Sequence, residues 1–117
     1  MSLAPPATAK AGEASTAQVL VKARGPFHVN RDYPMSFRPD PGATAAFDGP
    51  RIALGDGAQR TPCADHPEEA CALSAPLRFT PRAAGEARLA GTLAFSVCTL
   101  ERCLIEKVSL SATVAAR

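Results

Sequence analysis

The sequence contains no tryptophan and a single tyrosine, and its aromatic bulk comes from five phenylalanines. Much of its 46% hydrophobic fraction is alanine. Any core must therefore be small and largely aliphatic. No apolar run approaches the roughly 20 residues of a membrane-spanning helix. There is no basic cluster and no interleaving of aromatic with basic residues. The net charge of +2 is spread over both signs, which points away from nucleic acid. No nucleophile elbow, HExxH, P-loop or dinucleotide fingerprint is present, so no cofactor is expected. The two histidines, His28 and His66, are too isolated to argue for hydrolysis. Long helical periods are also missing. Eleven prolines and eight glycines punctuate the chain and favour short strands joined by turns.

What is present is a period of two. Ala87, Leu89, Gly91, Leu93, Phe95 and Val97 alternate with Arg88, Ala90, Thr92, Ala94 and Ser96. Val108, Leu110, Ala112 and Val114 alternate with Lys107, Ser109, Ser111 and Thr113. Each run reads as a strand with one buried face, and the short link between them predicts an antiparallel hairpin. Upstream, Ala17 to Arg24 reads as a first strand, with Leu20 a misfit on its polar side. Gly25-Pro26 ends it. Phe27-His28-Val29-Asn30 is a short extended piece, followed by Arg31-Asp32-Tyr33-Pro34. Met35 to Arg38, Ala43 to Phe47, Arg51 to Leu54 and Ala75 to Thr80 complete the set. Asp48-Gly49-Pro50, Gly55-Asp56-Gly57 and Pro81 to Gly85 read as turns. Residues 1–16, rich in Ala, Pro, Ser and Thr, read as a flexible lead. The expectation is one all-β domain over residues 17–117, an immunoglobulin-like antiparallel β-sandwich of about seven strands without the Cys…Trp…Cys hallmark of antibody domains.

Four cysteines fall into two local pairs. Cys98 and Cys103 lie at the mouth of the predicted hairpin, where facing strand ends are roughly 4.5–5.5 Å apart and within disulfide reach. Cys63 and Cys71 lie in residues 58–74, which lack periodicity and read as a surface loop stapled by its own disulfide. His66 to Ala70 would form one helical turn inside that loop. Adding His66 makes Cys63-x2-His66-x4-Cys71, three ligands without a fourth and at no common zinc spacing, so no metal is expected. Two local disulfides imply an oxidising compartment. Met1-Ser2-Leu3 running straight into Ala- and Pro-rich sequence suggests that a secretory leader or lipoprotein anchor has been removed.

Phe95-x-x-Cys98-x4-Cys103-Leu104 resembles the cysteine hairpin of the periplasmic N-terminal domain of the DsbD thiol–disulfide reductase family. Gly25-Pro26-Phe27-His28-Val29-Asn30 is similar to the Gly-aromatic-His-Ile-Asn segment after that family's first strand, and Tyr33-Pro34 to the proline that follows. Family members place Pro-Pro shortly after the second cysteine, where this chain has Leu104-Ile105-Glu106. They also cover the pair with an acidic–aromatic cap loop. The Cys63/Cys71 loop lies in roughly that part of the chain but has no aromatic. The resemblance implies an immunoglobulin-like fold and a redox-active pair, Cys98 and Cys103, that exchanges electrons with thioredoxin-fold or membrane redox partners. By family position, Cys103 is the sulfur a partner thiolate attacks.

Beside the pair, Arg102 would favour a thiolate and Glu101 oppose it. Without the resemblance, both pairs read as structural staples. The alternative class is a non-enzymatic interaction module that binds a protein partner through sheet faces or loops. For His28 and Asn30 the sequence reads as turn hydrogen bonding at the surface, the alternative being a supporting role near the Cys98 hairpin if their strand lies alongside it.

Overall fold

The computed structural model describes residues 1–30, 32–54 and 57–117. Arg31, and Gly55 and Asp56 of one expected turn, lie outside the described residues. The strands run in chain order as β1 (Ser2–Ala4), β2 (Thr8–Ala9), β3 (Ser15–Lys22), β4 (His28–Val29), β5 (Ser36–Pro39), β6 (Ala45–Ala46), β7 (Ile52–Ala53), β8 (Gln59–Pro62), β9 (Ala70–Pro81), β10 (Gly85–Cys98) and β11 (Cys103–Ala116). There is no helix among the described residues. The fold is all-β, as the period of two predicts.

The strands hydrogen-bond into one curled sheet whose two halves are joined by β4. In one half β1 pairs with β3, β3 with β9 and β9 with β8, all antiparallel. In the other half β11 pairs with β10 from Gly85↔Ala116 to Cys98↔Cys103, and β10 pairs with β5 over Gly91–Ala94. β4 bridges them: Val29 pairs with Ala70 of β9 and with Val97 of β10. Curling brings β1 against β11, near opposite ends of the pairing order. The arrangement is consistent with the sandwich class.

The core lies inside this curl. Val19 and Val21 of β3, Leu77 and Phe79 of β9, Phe37 of β5 and Leu89, Leu93 and Phe95 of β10 are each at most 1% exposed. These are the alternate positions of their strands, as pleating requires. Burying a large aliphatic or phenylalanine side chain contributes about 1.5–3 kcal/mol, so this short list carries much of the folding free energy. Gly91 shows how tightly β5 packs on β10. A Cβ at this position would collide with the Phe37 ring and come 2.5 Å from the Arg38 carbonyl oxygen. The glycine at an inward position of a central strand lets Phe37 cross β10.

Three expectations need correction. Residues 1–16 do not form a lead apart from the fold. β1 pairs with β3, β2 pairs in parallel with the end of β11, and Leu3 and Ala9 are buried. Ala11 and Arg117 close this corner, with the Ala11 N–H donating to the Arg117 carbonyl at 2.9 Å. The free β3 edge and the β11 terminus offer unpaired backbone groups that this polar segment can satisfy. Residues 58–74 are only partly loop, because β8 and the first part of β9 pair across Gln59↔Ser74 to Thr61↔Ala72. Within Cys63–Glu69, the expected helical turn is a β-turn closed by the Glu69 N–H on the His66 carbonyl at 2.9 Å. The strand expected at Ala75–Thr80 extends back to Ala70. Leu20, the misfit, is half-buried between Ser2 of β1 and Ser74 of β9.

Candidate functional site

The hairpin mouth is built by register. In β10 the core-facing residues are odd-numbered, ending with Phe95 and Val97, so Cys98 points to the opposite face. Its partner across the last rung of the ladder is Cys103. The two are joined by a disulfide, with Cα atoms 4.0 Å apart. The connection Thr99–Arg102 is held by the threonine. Its N–H donates to the Arg102 carbonyl at 2.7 Å, and its hydroxyl accepts from the N–H groups of Glu101 and Arg102, each at 3.2 Å. Leu100 at the tip is fully exposed.

The two sulfur-bearing residues differ in exposure. Cys98 is 6% exposed, whereas Cys103, on the outer strand, is exposed. β4 covers the Cys98 side. His28 is the direct pairing partner of Cys98, so His28, Cys98 and Cys103 form one row across three strands on one face. The next row is tied down by Asn30. Its N–H donates to the Ser96 carbonyl at 2.9 Å and its amide donates to the Ser96 hydroxyl at 3.4 Å. Asn30 Oδ1 also accepts the Asp32 N–H at 3.1 Å, the turn hydrogen bond expected of it. His28 departs from its expected surface turn. It is half-buried in a strand.

The second disulfide, Cys63–Cys71, links the chain just after β8 to β9, with Cα atoms 4.8 Å apart. All four cysteines are thus paired as the sequence suggested, and none is free. The staple turns its loop toward the hairpin. Cys63, Cys71 and Glu69 line one open cleft together with Phe27, His28 and the hairpin tip Thr99–Arg102. Glu69 reaches across it: its Oε2 is 3.2 Å from His28 Nε2, with the two side chains 37% and 21% exposed. His66 Nδ1 approaches Glu68 Oε1 at 3.6 Å, both well exposed, a contact of little energetic weight. Among the described residues no group of three or more His, Cys, Asp or Glu side chains is gathered to hold a metal.

Chemically, the hairpin mouth offers an accessible disulfide with a covered sulfur on one side, an uncovered one on the other, and an imidazole–carboxylate pair alongside. The cysteines and the hairpin were readable from spacing. The His28–Glu69 pair was not, because its partners lie 41 residues apart and meet only through β4 and the stapled loop. The only available signal was the extended piece Phe27–Asn30 itself. Among the described residues no helix is long and apolar enough to cross a membrane. No family model matches the chain and no curated protein matches it, so the resemblance to the DsbD N-terminal domain rests on its two short sequence patches alone.

Proposed function

We propose that this chain is a thiol–disulfide exchange module of the periplasm or extracellular space, working through Cys98–Cys103 with thioredoxin-fold or membrane redox partners. The observation that carries the reading is the asymmetry of the hairpin disulfide: an exposed Cys103 beside a nearly buried Cys98 on a face turned away from the core. A partner thiolate attacks Cys103 Sγ, and the Cys98–Cys103 bond breaks with its electron pair passing to Cys98 Sγ. Cys98 later resolves the mixed disulfide. Cys63–Cys71 is the staple in this scheme. The carboxylates of Asp65, Glu68 and Glu69 around it disfavour thiolates and so oppose its opening.

Titration of the oxidised protein in glutathione buffers, with free thiols counted by mass tagging, tests this. Cys98–Cys103 should open at roughly −180 to −270 mV, while Cys63–Cys71 stays closed. A hairpin pair still closed well below about −300 mV would overturn the proposal and leave an interaction module with two structural disulfides.

A further inference from the structure

We infer that His28 is the acid–base partner of Cys98 and that Glu69 positions it, an inference that rests on the exchange reading above. The register makes His28 the direct cross-strand neighbour of Cys98 on the face that carries the disulfide. Directly opposed residues have Cβ atoms roughly 4.5–5.5 Å apart, within reach of an imidazole. The ring is not free to swing into solvent. It is half-buried, and Glu69 engages Nε2 at 3.2 Å. Glu69 is itself fixed by the staple, with its carbonyl accepting the Cys63 N–H at 2.9 Å. The second disulfide thereby gains a task beyond closing its loop.

The chemistry balances without an external co-reactant beyond the partner thiol. The partner sulfur bonds to Cys103 Sγ as the Cys98–Cys103 bond breaks. The departing electron pair resides on Cys98 Sγ, where protonated His28 stabilises the new thiolate and then gives it a proton. Because Glu69 accepts from Nε2, the exchanged proton is the one on Nδ1. In the return step neutral His28 takes that proton back, the Cys98 thiolate attacks Cys103 Sγ, and the partner leaves as thiolate. A lower barrier for the departing sulfur is the gain, since exchange speeds up as the leaving thiolate is stabilised. The other charged groups facing this cleft are Asp65, His66 and Glu68 from the stapled loop and Glu101 and Arg102 from the hairpin tip. Of these, His66 is the other imidazole, and it is well exposed beside Glu68.

The test is the rate of opening of Cys98–Cys103 by dithiothreitol, read by mass spectrometry of alkylated Cys98 and Cys103, for the native chain and for His28→Ala and His28→Gln. At pH 5.5, where imidazoles generally carry a proton, both variants should open about fivefold more slowly than the native chain. The ratio should fall to one by pH 9. His28→Lys, which keeps its charge over this range, should restore the pH 5.5 rate, and Glu69→Gln should lose part of it. Native rates in both neutral variants at pH 5.5, or a slowing of equal size at every pH as a purely structural role would give, would overturn the inference. Dithiothreitol in large excess, whose oxidation to a cyclic disulfide draws the reaction forward, also opens a pair that lies below about −300 mV, and the readout is a rate, so this outcome is separable from the glutathione titration that decides the exchange reading.

Discussion

At the scale of single residues, Gly91 and Leu100 mark the two extremes of the hairpin. Gly91 lies where Phe37 crosses β10 with no room for a methyl group. Gly91→Ala should destabilise the protein by about 2–3 kcal/mol through overpacking, visible as a lower urea midpoint. An unchanged midpoint would mean that Phe37 can move aside. Leu100 projects from the tip without burial, so its replacement by serine should leave that midpoint in place. The alternation predicts that Gly91 faces inward. It does not say that the neighbour above it is Phe37, 54 residues earlier in the chain. His28 repeats the lesson. Its neighbours in sequence suggested an extended piece and a turn, with a place beside the Cys98 hairpin only if the strands lay alongside, and its neighbours in space are Cys98 of β10 and Glu69 of the stapled loop.

At the scale of elements, the hairpin was the most legible part of the molecule. A strict period of two on both sides of a four-residue connection leaves one register that buries both apolar faces, and a slip by one residue would expose them all. The region of residues 58–74 was the least legible. β8 is exposed along its whole length, so it shows no apolar alternation. It exists because the β9 edge needs a partner and the Cys63–Cys71 link holds it there. Replacing both cysteines of this staple with serine should cost about 2–3 kcal/mol of stability in the chain-entropy model, measured by thermal or chemical unfolding. It should also release Glu69 from His28 and slow the opening of Cys98–Cys103 at pH 5.5. Loss of stability with no change in that rate would show that the staple does not support the His28–Glu69 pair.

At the scale of the whole molecule, the chain closes on itself. The first nine residues cover a corner that the last two strands leave open, with Leu3 buried and β2 running alongside Ala115 and Ala116. Deleting residues 1–12 should therefore lower stability by about 2–3 kcal/mol, the magnitude of losing one buried leucine and its strand pairing. That corresponds to a fall of about 10 °C in Tm. A truncated chain with native Tm would return the segment to the status of a tether. The Cys63–Cys71 disulfide, His28 of β4 and the hairpin tip surround a single cleft, at the opposite end of the β10–β11 ladder from the corner where the termini meet.

The sequence alone determined the features whose causes are local. These are the all-β class, the final hairpin, and both cysteine pairings, each of which closes a loop of only a few residues. Tertiary structure alone decided where polar, low-period segments go and which distant side chains meet. The N-terminal segment joins the sheet, His28 lies opposite Cys98, and Glu69 reaches His28. Strand periodicity is a property of consecutive residues facing one core. Edge pairing and cleft contacts depend on how far the sheet curls, and that follows from the packing of all its strands together.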